Sequence, residues 1–197
     1  FFFKNTQIGQ NPTSEKNAYF ILRFDFSAVN SDINKVEESF ENYCSRVIQY
    51  FLLEYDYAFD KKFSKEIDRC SSVAEKIDAV FMYAKKHNLK IYMLIDEYDN
   101  FANTILSTAG KEAYHRLTHG EGFFRHFFGK LKSVTAMRGS GLERLFITGV
   151  SPVTMDDVTS GFNIGTNISM LPVFSEMTGF TETEVLDMLN YYKEVGK

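Results

Sequence analysis

The run Ile91-Tyr92-Met93-Leu94-Ile95-Asp96-Glu97-Tyr98-Asp99 restricts the fold more than any other stretch of this chain. Five consecutive apolar residues between turn-forming segments are the pattern of a core strand. Such a run, coming straight after a helical pattern, is what a central parallel strand covered on both faces produces. The strand is expected over residues 90–96, and it delivers Asp96 and Glu97 at its carboxyl end. A parallel α/β sheet gathers its ligands at that end.

The surrounding pattern extends this reading. Phe20, Leu22, Phe24 and Phe26 alternate with other residues from Tyr19 to Ser27, which predicts a strand. Ile33, Val36, Phe40, Tyr43, Cys44, Val47, Ile48 and Phe51 then recur at helical spacing behind Ser31 and Asp32, either of which can accept a hydrogen bond from a first helical turn. Residues 54–70 show no clean period. Ser72-Val73-Ala74-Glu75 is a capping-box pattern opening a helix with Val73, Ile77, Val80, Phe81 and Ala84 on one face; Lys85, Lys86 and His87 suit its C-terminus, and Asn88 can end it. A loop-and-helix stretch to about residue 120 leads to a helical stripe of Phe123, Phe124, Phe127, Phe128 and Leu131, read as core packing. A short strand at Leu145-Phe146-Ile147-Thr148-Gly149-Val150, a weaker one from Ile164 to Met170, and a helix capped by Thr181-Glu182-Thr183-Glu184 complete the order. Alternating strands and helices give an α/β fold with a mostly parallel sheet.

Composition bounds the remaining choices. With 20 Phe, 11 Tyr and no Trp in 197 residues, aromatic packing should dominate the core. A net charge of −4 argues against a global nucleic-acid or membrane surface. No apolar run approaches the ~18 residues of a membrane span, so a soluble protein without a membrane partner is expected. Cys44 and Cys70 lack the spacing of a zinc site or disulfide framework, which fits a reducing cytoplasm. His87, His115, His119 and His126 show no metal-ligand spacing.

Neighbouring acids at a strand end suit a divided task. One carboxylate, Asp96, can hold Mg2+ on a nucleotide while Glu97 orients and deprotonates an attacking water. The plainer alternative is that both acids cap the following helix. Thr148, at the end of another strand, is expected on the same rim, where a hydroxyl touches a terminal phosphate or the water. Asp25 is read as structural, Asp99 as a solvated acid at a helix start. Arg125, Arg138 and Arg144 are the cations considered for phosphate charge. No Gly-Lys-Ser or Gly-Lys-Thr phosphate loop occurs: Gly110-Lys111 is followed by Glu112 and Gly129-Lys130 by Leu131.

Five collinear segments carry a resemblance. Ile21-Leu22-Arg23-Phe24-Asp25-Phe26-Ser27, Leu94-Ile95-Asp96-Glu97-Tyr98-Asp99, Gly120-Glu121-Gly122-Phe123, Phe146-Ile147-Thr148-Gly149-Val150-Ser151-Pro152 and Thr159-Ser160-Gly161-Phe162-Asn163-Ile164 resemble the bacterial AAA-ATPase-like family. The likeness runs from about Tyr19 to Gly179-Phe180-Thr181. It implies a three-layer P-loop NTPase fold of the AAA/ASCE type, with Asp96 and Glu97 as Walker B acids and Thr148 as the sensor-1 residue. Mg2+ and ATP are the implied cofactors. Members usually carry a C-terminal nuclease-like domain of the PD-(D/E)xK type, the implied partner in the same chain; nucleic acid as final target stays open.

By the same resemblance, residues 1–171 form the ATPase-like core and 172–197 begin the next helical segment. A Walker A loop and one strand would precede Phe1, so the chain reads as a fragment with little activity by itself. The Tyr19–Ser27 strand would lie at one edge, the acid-bearing strand next, then Leu145–Thr148, then the absent strand, with Ile164–Met170 at the far edge. Loss of that strand would leave unpaired backbone groups costing about 1–3 kcal/mol each, and either an unstable fragment or one whose Ile164–Met170 region shifts is expected. Two other functions compete: a scaffold that keeps the fold without hydrolysis, and a metal-dependent nuclease using Asp25, Asp96, Glu97 and Asp99, which lacks a convincing (Asp/Glu)-x-Lys partner.

Overall fold

A computed structural model describes residues 3–137, 139, 141–150, 165–175, 177 and 179–195. The chain divides into two compact units, Phe1–Ile164 and Gly165–Lys197.

The first unit is a parallel sheet packed against helices. After a single turn of helix, α1 (Gln7–Gln10), come β1 (Phe20–Asp25), α2 (Val36–Glu54), α3 (Lys61–Ile67), α4 (Val73–Lys86), β2 (Ile91–Asp96), α5 (Asn100–Thr118), α6 (Phe123–Ala136) and β3 (Leu142–Ile147). The three strands are parallel in the order β1-β2-β3, with Phe20 opposite Ile91, Asp25 opposite Asp96, and Ile95 opposite Ile147. These neighbour relations are the ones expected for the three segments. Because the strands run the same way, their carboxyl ends form one rim.

Among the described residues the sheet has a sealed face and a more open one. Leu22, Phe24, Ile91, Met93 and Ile95 are buried, whereas Ile21 and Arg23 are exposed and Tyr92, Leu94, Asp96 and Phe146 are half-buried. Among the described residues the burial of β2 alternates between complete and partial, the helices of the core covering the first face. Toward the strand starts the open face is touched by residues 15–19, where the Tyr19 ring meets Tyr92 edge-on, Tyr19 hydrogen-bonds Glu15, and Arg144 pairs with Glu15 at 4.0 Å.

Aromatic rings make the core, as the composition requires. Phe26 in the turn after β1 meets Phe40 of α2 at 5.2 Å between centroids, Phe40 meets Phe127 of α6 at 5.2 Å, and Phe101 of α5 meets Phe124 at 4.8 Å, all edge to face. Burying each ring contributes about 1.5–3 kcal/mol relative to leaving it exposed. A second cluster stacks Phe63 on Tyr83 at 4.0 Å and Tyr83 on His87 at 4.1 Å.

Local chemistry explains most helix ends. Ser72 caps α4 by accepting from Glu75 N, but Glu75 answers to Ser71, accepting from its N–H and hydroxyl, so the capping box is shifted by one residue. Asn88, at φ 55°, ends the helix as expected. α2 begins at Val36 rather than behind Asp32, whose carboxylate instead accepts from Asn34 N in a turn. The aperiodic stretch holds α3, capped by Asp60 accepting from Phe63 N and burying Phe63 and Ile67. α5 breaks at Gly110, where φ is 80° and ψ −178°.

In the second unit α7 (Glu182–Val195) has the expected capping box: Thr181 Oγ1 accepts from Glu184 N, and Glu184 accepts from Thr181 N at 2.7 Å. The strand expected from Ile164 to Met170 is corrected. Residues 165–170 form no strand, because Gly165 favours a bend and Asn167 offers its side chain to the local backbone, accepting from Ser169 N at Oδ1; Ile164 lies outside the described residues.

Candidate functional site

The rim of the sheet is built by register. Ile147 lies opposite Ile95, so the next residue, Thr148, reaches the level of Asp96. Two backbone bonds fasten it there: Thr148 N donates to Ile95 O at 2.8 Å, and Tyr98 N donates to Thr148 O at 3.1 Å. The side chains then meet, with Thr148 Oγ1 donating to Asp96 Oδ1 at 2.5 Å. Glu97 N donates to the same oxygen at 3.2 Å. The first expectation drawn from the sequence, that Asp96 and Thr148 share one rim, matches this geometry.

Arg23 completes the group, and the sequence reading passed over it. Its guanidinium donates to Asp96 Oδ2 at 3.2 Å. The signal was present: alternation along β1 puts Arg23 on the face opposite Leu22 and Phe24, and parallel pairing with β2 brings that face to Asp96. The Thr148 hydroxyl, and after it the Arg23 guanidinium, hold the Asp96 carboxyl below the usual carboxylate range against the opposing effect of burial. Asp96 is therefore a carboxylate at neutral pH, with its side chain 43% exposed.

Glu97 is half-buried in the tight turn that leaves β2, and its backbone is left-handed, with φ 52°. Non-glycine residues pay about 1–2 kcal/mol for that region. The turn continues through Tyr98 and Asp99, both buried. Asp99 was expected to be solvated and is not: Oδ1 accepts from Val150 N at 3.1 Å and Oδ2 from Asn103 Nδ2 at 2.7 Å. The carboxylate is enclosed because the loop after β3 closes over it. A Cβ at Gly149 would fall on the Tyr98 ring and the Asp99 carboxylate, so only glycine fits this approach.

The other candidates lie apart or serve the scaffold. Asp25 accepts from Ser27 N and Oγ and caps the turn after β1, in keeping with a structural reading. Arg144, opposite Tyr92, pairs with Glu15 toward the strand starts. Arg125 lines a cavity of about 670 Å³ along α6 with Glu121, His126 and Lys130, and no rim residue lines it. Arg138, Ser151, Pro152 and the segment 159–164 lie outside the described residues. His87 stacks on Tyr83, and His115 stacks on His119.

Among the described residues no three His, Cys, Asp or Glu groups converge on a metal position. What the rim offers is one ionised carboxylate beside a hydroxyl, a hard-oxygen set. That suits Mg2+ held through one or two carboxylates and otherwise by water and phosphate oxygens, and does not suit a metal caged by protein alone.

Comparison with known families decides the relationship: the family described as Predicted AAA-ATPase matches residues 1–159. The chain belongs to this family. Nucleotide binding is the property that AAA-ATPase-like membership implies, and ATPase-type activity is its predicted function. The matched span takes in β1, β2, β3, Arg23, Asp96, Glu97 and Thr148, and stops short of the second unit. No curated protein and no solved structure matches the chain. No helix among the described residues is long and apolar enough to cross a membrane.

Proposed function

We propose that the rim formed by β2 and β3 is the hydrolytic centre of a Mg2+-dependent ATPase whose turnover switches conformation in the full-length protein. The observation that carries this reading is the 2.5 Å bond from Thr148 Oγ1 to Asp96 Oδ1, which joins two strand ends at the point where parallel sheets receive ligands. Asp96 is the metal-side acid of the Walker B pair. When bound, Mg2+ supplies charge neutralisation to the phosphate oxygens.

Each residue then has a defined task. Asp96 keeps its negative charge because Thr148 and Arg23 stabilise the ionised form. Glu97, the next residue along the chain, projects in a different direction and takes a proton from the attacking water. Thr148, as the sensor-1 residue, presents its hydroxyl oxygen toward the water or the terminal phosphate while its proton engages Asp96. Asp99 and Gly149 keep the Thr148 loop seated on the Glu97 turn. A downstream nuclease-like domain is the proposed partner in the same polypeptide, in a bacterial cytoplasm, with nucleic acid as one possible target.

In a chain carrying the phosphate loop that the resemblance implies, Glu97→Gln lowers the rate of phosphate release by about 10² to 10⁴ while nucleotide affinity holds. Unaltered release in that variant removes Glu97 from the chemistry. A second reading, a scaffold that keeps the fold without turnover, draws on the absence of Gly-Lys-Ser and Gly-Lys-Thr from these 197 residues. Nucleotide affinity without release, in wild type and variant alike, is its signature.

A further inference from the structure

The two oxygens of Asp96 are held in unlike ways. Oδ1 accepts from Thr148 Oγ1 and from Glu97 N, donors fixed by short side chain and backbone. Oδ2 accepts from Arg23 alone among the described residues, at 3.2 Å, through a long side chain that is 61% exposed. The first pair of bonds orients the carboxylate. The second compensates its charge through a contact that water and ions can reach.

We propose that Arg23 is an exchangeable counter-cation for Asp96, occupying the oxygen a divalent metal ion takes and leaving it when the ion arrives. The inference rests on Asp96 being the metal-side acid. An exposed single-bonded ion pair is weak, so it yields readily to a divalent charge at the same oxygen. A guanidinium cannot lose its proton, so displacement leaves a full positive charge on the rim, shaped to take up anionic oxygens. Asp25, two residues along β1 on the same face, accepts from Ser27 N and Oγ and caps the turn.

The test uses Mn2+ alone as probe, with affinity measured by water-proton relaxation on the 197-residue chain, its Arg23→Gln and Asp96→Asn variants, and the double variant. Arg23→Gln should raise Mn2+ affinity about two- to fivefold, the size expected of one exposed ion pair, and should have no effect when Asp96 is already Asn. Arg23→Lys, which keeps the charge, should fall between. Matching melting curves for all variants exclude a fold defect as the cause. Unchanged or weaker affinity in Arg23→Gln, with Asp96→Asn weakening it, overturns the counter-cation and leaves the metal-side role of Asp96 standing. Affinity indifferent to Asp96→Asn sinks that role, and the inference with it. Absence of Mn2+ binding by both wild type and Arg23→Gln also overturns the proposal.

Discussion

Glu97 combines a proposed proton-transfer role with a backbone at φ 52°, a conformation that asparagine adopts at little cost and glutamate does not. Glu97→Asn should therefore raise unfolding free energy by up to about 1 kcal/mol while abolishing turnover, a trade measurable by denaturant melts beside phosphate release. Asp99 behaves in the opposite sense. Truncating this buried carboxylate to Ala removes the acceptor from Val150 N and Asn103 Nδ2, and should cost about 1–3 kcal/mol, read from urea midpoints. At this scale the sequence displayed Asp96 and Thr148 because each follows a recognisable apolar run. It hid Arg23 and the burial of Asp99, since both depend on which strands adjoin and on how the loop after β3 closes. Periodicity within a single segment carries neither.

Helix starts account for a pH dependence that belongs to the elements. Asp60 caps α3, and the Phe63 amide, helped by the Tyr83 hydroxyl, holds its carboxyl below the usual range. A group whose folded pKa is depressed adds stability that is complete above its unfolded value near ~3.9 and disappears as pH falls through the folded one. Asp60→Asn should flatten that acid limb without altering behaviour near neutrality, as followed by circular dichroism from pH 6 downward. α3 also marks where element reading stopped short. It is seven residues long, with Phe63 and Ile67 as its only buried side chains, and two apolar positions are too few for a period to emerge. α4, with six buried positions along 14 residues, declared itself together with its cap and its asparagine stop. The strand expected from Ile164 to Met170 failed for a related reason: its alternation was weak, and its small polar residues bond locally instead.

Taken whole, the first unit has an asymmetry that a substitution pair can read. Met93 is buried within the aromatic core and Leu94, its neighbour on β2, turns to the half-open face. Met93→Ala should cost about 2–5 kcal/mol, and Leu94→Ala distinctly less, in thermal or denaturant unfolding; equal costs would mean that both faces are packed alike. The reading of β2 as a strand covered on both faces arose because Ile91 to Ile95 are all apolar, and apolar character by itself does not say how evenly the two sides of a strand are buried. The same asymmetry has an experimental use. The chain contains no Trp, so an indole introduced in place of half-buried Phe146 would be a solitary emitter on the less buried side of the sheet, and its colour would shift to the blue whenever anything further came to lie against it.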